Sequence, residues 1–188
     1  RVRAIGASNW EYRRVREADA YARDHGLISF AAVSNTLSLA APAAAFYPGL
    51  VSVDSEGEAW HRDTRVPLIP WSSQARGFFA GACPRPAPGE ERPAEKSFSG
   101  RMQTVYGTDA NFQRRDRAAA LGQQKGGYSA TQVALAYLLH KPFPLAPVVG
   151  PRSPSELADC LRATGLVLSP EELAWLNLER DAVSGVRA

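Results

Sequence analysis

Short apolar runs alternate along the chain with longer polar stretches that carry apolar residues at helical spacing, which predicts repeated strand-helix units. The first run, Arg1 to Ala7, is β-like and stops at Ser8-Asn9, where Asn9 is the expected N-cap of a polar, Ala-containing helix reaching His25-Gly26. Phe30-Ala31-Ala32-Val33 is the second run. A Ser, Ala and Pro-rich loop follows it, then a helix-like stretch from about Ser55 to Asp63. The third candidate strand, Val66 to Trp71, is weakened by Pro67 and Pro70, each of which removes a ladder donor. The fourth runs from Leu145 to Val149 and ends at Gly150.

Between the third and fourth runs lies a long segment, Ser72 to about Thr108, whose 82–108 part reads as an irregular loop with Pro84, Pro86, Pro88 and Pro93. It exceeds an ordinary connector, and its place between two well-patterned regions favours a flap. Helices resume near Asn111. Ser129-Ala130-Thr131-Gln132 has the capping-box pattern, with Val133, Ala134, Tyr137 and Leu138 as an apolar face behind it. Ser153-Pro154-Ser155-Glu156 and Ser169-Pro170-Glu171-Glu172 repeat that signature with Pro at the first helical position, where a missing N–H is harmless. The order implies an α/β fold of parallel strands with helical crossovers. Two architectures use this order: an open doubly wound sheet, complete at this length, and a barrel of eight units, typically about 250 residues. Pattern alone favours the open sheet, yet no G-x-G-x-x-G follows a strand.

Composition narrows the function classes. The 188 residues are 45% hydrophobic and 22% charged, enough to build one sizeable core, so disorder over the whole length is not expected. Net charge is +3, with Lys and Arg dispersed among Asp and Glu, which argues against nucleic acid as a partner. No apolar run has the length of a membrane span, and the first residues lack the apolar core of a signal peptide. Cys83 and Cys160 have neither zinc nor disulfide-scaffold spacing, and a reducing cytoplasm is the simplest setting.

Each candidate strand ends in small or polar residues: Ser8-Asn9, Ser34-Asn35, Trp71-Ser72-Ser73 and Gly150-Pro151-Arg152-Ser153. In parallel α/β folds these ends face the ligand, and the helix N-termini beside them offer unpaired N–H groups to anions. Singly, each Ser or Asn is better explained as a cap or turn former; the set argues for a site. Arg152, just before an N-cap, suits a phosphate monoester, with a solvated surface arginine as an equal alternative. Catalytic groups are harder to find. His25, His61 and His140 stand at helical or helix-terminal positions, Glu90-Glu91 and Glu171-Glu172 read as a solvated loop and a first helical turn, and neither G-x-S-x-G nor a P-loop occurs. From the residues alone, the reading ends at a phosphate-bearing ligand.

Three ordered motifs extend it. Arg3-Ala4-Ile5-Gly6-Ala7-Ser8-Asn9-Trp10, Ile69-Pro70-Trp71-Ser72-Ser73-Gln74-Ala75-Arg76-Gly77-Phe78-Phe79-Ala80-Gly81, and Val149-Gly150-Pro151-Arg152-Ser153 with the later Ser-Pro-Glu-Glu helix resemble the second half of aldo-keto reductases over essentially the whole chain. The resemblance implies the C-terminal half of a (β/α)8 TIM barrel, its fifth to eighth strands. It implies that Ser8 and Asn9 hold a nicotinamide carboxamide and that Trp71 stacks on the nicotinamide ring. Ser72, Ser73, Gln74, Ala75 and Arg76 then line the pyrophosphate, and Arg152 with Ser153 grips the 2′-phosphate of NADP, beside Gly150. Glu156 and Cys160 fall at the adenine, with Cys160 in place of a common Asn. Ser34 replaces a carboxamide-bearing Gln, and Ser73 replaces a common Pro.

The family's catalytic Asp, Tyr, Lys and His lie on the other half of the barrel, and no Tyr or Lys here matches them. NADPH-dependent reduction of a small carbonyl substrate to an alcohol is therefore expected of a full-length form, with this chain inactive alone. A half barrel has open strand edges and an uncovered inner face, so a complementary half or self-association is expected. Two alternatives remain: a non-enzymatic half-barrel module that binds a partner or serves a structural role, and a complete small α/β protein for another phosphorylated ligand.

Overall fold

The computed structural model describes residues 1–87, 94 and 96–183. Strand β1 (Gly6–Ser8) pairs in parallel with β2 (Ala32–Ser34), with Ala7 opposite Val33. Between them runs α1 (Tyr12–Asp24). Val33 is bridged in parallel to Leu68, and Leu68 in turn to Leu145, so the third and fourth apolar runs lie side by side beyond β2. The fold is α/β, with parallel strands and helical crossovers.

Neither of those two runs is a regular strand, and proline explains the third. Along Val66–Trp71 successive N–H groups point to opposite neighbours: Leu68 donates to Pro144 O, Ile69 to Val33 O and Trp71 to Asn35 O. Pro67 and Pro70 interrupt that alternation because neither has an N–H. Their carbonyls still accept, from Val33 N and Val148 N, so the sheet continues as isolated bridges.

The helices follow their caps. Asp54 caps α2 (Ser55–Thr64), Thr108 caps α4 (Asp109–Gln124) and Ser97 caps α3 (Phe98–Tyr106), each side chain accepting a backbone N–H three residues on. Ser129 opens α5 (Ala130–Leu139) and Ser169 opens α7 (Pro170–Leu176) with complete capping boxes. Ser153 opens α6 (Pro154–Arg162), but the Glu156 carboxylate turns to Arg152 N instead of Ser153 N, so that box is only half made.

Two expectations change. Asn9 does not cap α1: Glu11 stands at that position without a side-chain bond, while Asn9, at φ 56°, accepts from Val51 N and ties the end of β1 to a distant loop. The 82–108 stretch is not irregular throughout, because Ser97 provides a cap and α3 buries Met102, Val105 and Tyr106. Residues 88–93 and 95 of that stretch, with Glu90-Glu91 and two of its prolines, lie outside the described residues.

The core sits between the strands and the helical layer, with Leu68, Phe78, Met102, Tyr106, Phe112, Leu121, Leu138 and Trp175 at its centre. Helices α4 and α5 pack against each other through a tight turn that requires Gly122, since a Cβ there would stand 2.0 Å from Tyr128 O. Arg117, only 4% exposed, donates to Trp175 O and Arg180 O and so secures the end of α7.

Candidate active site

Serine hydroxyls join the C-terminal ends of the four parallel runs. Ser8 Oγ donates to Ser34 O at 2.9 Å, Ser34 Oγ to Ile69 O at 2.9 Å and Ser73 Oγ to Val148 O at 2.6 Å. Each run is thus tied to the next by a side chain where the backbone ladder gives out. The donors of Ser8 and Ser34 are used within the protein, and so is the amide of Asn9, whose Nδ2 donates to Ser8 Oγ and whose Oδ1 accepts from Val51 N. Toward a ligand, these two hydroxyls act as acceptors.

The opposite side of the same end is open. A cleft of about 1100 Å³ runs between the segment after the third run and the N-terminus of α6. Ser72, Ser73, Gln74 and Arg76 line one wall; Gly150, Arg152, Glu156 and Cys160 line the other. Gln74 Nε2 donates to Cys160 Sγ at 3.3 Å across its floor. Trp71, Ala75, Ser153, Ser8, Asn9 and Ser34 are not in its lining, although Trp71 lies against Arg76 and Ser153 caps the helix beside it. Phe98 and Thr131 also line it, brought there by α3 and the first turn of α5. Nothing local in the sequence marks them, since only tertiary packing places those helix starts at the cleft.

Backbone strain is concentrated in one wall. Ser72, Ala75 and Arg76 all have positive φ, at 51°, 49° and 54°, and Gly77 follows at 88°. Left-handed non-glycine residues are unfavourable, and such strain tends to persist where a chain is shaped around a ligand. The guanidinium of Arg76 lies 4.3 Å from the Phe46 ring centre and 5.9 Å from those of Tyr47 and Trp71. Its Nε is buried without a hydrogen-bond partner, and no carboxylate pairs with it among the described residues. A cation held by aromatic faces, with no carboxylate partner among the described residues, thus borders the cleft.

At the other wall, Arg152 extends into solvent and meets Glu156 at 3.4 Å. The N–H of Arg152 holds the Glu156 carboxyl below the usual carboxylate range. Candidate acid-base groups lie elsewhere. His61 is buried rather than superficial, and burial depresses its pKa while its Nδ1 bonds Val66 O. Tyr137 and Lys141 form a buried pair with Glu58, Lys141 Nζ lying 2.9 Å from the phenol, but burial pushes that phenol up and none of the three lines the cleft.

A family model described as "Aldo/keto reductase family" matches residues 1–177. The chain belongs to the aldo/keto reductase family. It is 28% identical over 184 residues to versiconal hemiacetal acetate reductase of Aspergillus parasiticus, covering 94% of this chain and 48% of that protein. It is 29% identical over 179 residues to norsolorinic acid reductase of Aspergillus flavus, covering 94% of this chain and 40% of that protein. Among solved structures, a thermostable aldo-keto reductase in complex with the inhibitor epalrestat superposes with a TM-score of 0.58 at 19% identity, over 94% of this chain and 48% of its own. The chain therefore spans about half the length of the curated relatives it matches, and its fold is similar to that of an aldo-keto reductase barrel. Members of this family generally use nicotinamide dinucleotides and carbonyl substrates.

Proposed function

We propose that this chain is the cofactor-binding half of an NADPH-dependent aldo-keto reductase whose complete form reduces a carbonyl to an alcohol. The observation that carries the reading is the cleft beside Arg76. It is large enough for a dinucleotide, and the uncompensated guanidinium and strained turn suit a pyrophosphate. Gly150 has no atom within 4 Å of where a Cβ would stand, which leaves room on the facing wall. The bound nucleotide supplies hydride to the carbonyl. This chain's residues do the holding: Arg76 with Ser72–Gln74 at the pyrophosphate, Arg152 and Ser153 at the 2′-phosphate, and Glu156 and Cys160 at the adenine. Ser8, Asn9, Ser34 and Trp71 border the nicotinamide end.

In this reading the proton donor comes from the complementary half of the barrel, and the isolated chain does not turn over substrate. The same reading accounts for exposed apolar residues of the parallel runs, where Ile5 is 39% and Ile69 38% exposed. A complementary half, or a second copy, covers them. Both cysteines are free thiols, in keeping with a reducing, cytoplasmic setting.

Fluorescence titration tests the proposal. The protein binds NADPH more tightly than NADH, and Arg152→Ala weakens NADPH by about tenfold while leaving NADH nearly unchanged. Equal affinity for the two nucleotides contradicts the NADP assignment. No affinity for either supports a non-enzymatic half-barrel module in its place.

A further inference from the structure

The N-terminus of α6 already holds an anion, and that anion belongs to the protein. Glu156 Oε2 accepts from the backbone N–H of Arg152 at 2.7 Å, and Glu156 Oε1 lies 3.4 Å from the Arg152 guanidinium. One carboxylate thus meets Arg152 twice, at the main-chain N–H and at one guanidinium nitrogen. A capping box would have sent it to Ser153 N, as Glu172 goes to Ser169 N at the start of α7. Of the three helix starts with Ser followed by Glu or Gln three residues on, only that of α6 departs in this way.

We propose that Glu156 is an internal competitor for the nucleotide 2′-phosphate, setting how strongly Arg152 discriminates NADPH from NADH. This rests on the nucleotide reading given above. A phosphate monoester brought to Arg152 meets a carboxylate of like charge already bonded to its main-chain N–H and paired with its guanidinium, and competes with it for that cation. Nucleotides without the 2′-phosphate make no claim on those donors and do not meet the competition. With Glu156 in place, the preference for the phosphorylated form is smaller than Arg152 alone would give. Glu156 is therefore a specificity-determining residue that acts through Arg152, and its charge, rather than its bulk, has the effect.

The test uses 2′,5′-ADP and 5′-AMP as probes of the adenosine end, titrated calorimetrically into the wild-type protein, Glu156→Gln and Glu156→Ala. Removing the charge raises the ratio of 2′,5′-ADP to 5′-AMP affinity by about 2- to 5-fold, the scale of a partly exposed charged contact, while 5′-AMP itself reports any change at the adenine contact that both probes share. In the Arg152→Ala background, the same Glu156 substitutions no longer change 2′,5′-ADP affinity selectively. The proposal is overturned if that ratio does not rise in either variant, or if its rise survives loss of Arg152. Absence of 2′,5′-ADP binding to every protein, wild type included, removes the nucleotide reading itself and this proposal with it.

Discussion

The two ends of the candidate site use the same kinds of residue for different purposes. At the ends of β1 and β2, Ser8, Asn9 and Ser34 spend their hydrogen bonds on the protein, tying one run to the next and anchoring the loop at Val51. At the Ser72–Gly77 turn, the backbone is strained, Arg76 has no carboxylate partner among the described residues and the neighbouring space is open. A polar strand end is thus not by itself a binding group. What matters is whether its donors and charges are already satisfied: at the phosphate end Arg76 Nε, on a cation, is buried without a partner, whereas at the end of β2 the unpaired atom is a neutral acceptor, Asn35 Oδ1.

That contrast predicts a graded response to substitution. Arg76→Met keeps an apolar side chain against Phe46 but removes the charge, and it weakens NADPH and NADH alike by about 30- to 100-fold, since both carry the pyrophosphate. An unchanged affinity in that variant would dissolve the contrast. Ser73 lines the cleft, but it is 1% exposed and its hydroxyl hydrogen is committed to Val148 O, so it also ties the third run to the fourth. Ser73→Ala lowers unfolding free energy by about 1–2 kcal/mol in urea titration. Ser34→Ala removes a bond at the more open end of the same ladder, costs about 0.5 kcal/mol or less, and leaves nucleotide affinity within about twofold.

The smallest effect on binding is expected from His61. Its pKa is lowered in the folded protein by burial, so the unfolded chain takes up the proton more readily. Stability from this group is full above the ordinary histidine range and declines as pH falls through it toward the lower folded value. His61→Phe flattens that acid slope in thermal unfolding, while the pH dependence of nucleotide binding stays as in the wild type, because His61 is not part of the cleft.

Much of the helical layer was legible in the sequence because capping is local: Ser129, Ser153 and Ser169 each mark a helix start. Reading failed where a distant contact decided the outcome. Asn9 looks like a cap but is claimed by Val51, 42 residues away. Helix α3 was hidden by the prolines before it, although Ser97 offers a cap. Pro67 and Pro70 weaken the third strand through local chemistry alone, since their missing donors leave bridges in place of a ladder. Within the site, the Ser72–Arg76 motif pointed to a wall of the cleft, whereas Phe98 and Thr131 reach it only through packing of α3 and α5.

Hydrogen exchange with and without NADP⁺ tests the central claim most directly. The account predicts that the nucleotide slows exchange mainly across 72–82 and 150–160, with little change at 8–9 and 33–36. Protection confined to 8–9 and 33–36, with 72–82 and 150–160 unaffected, would contradict it.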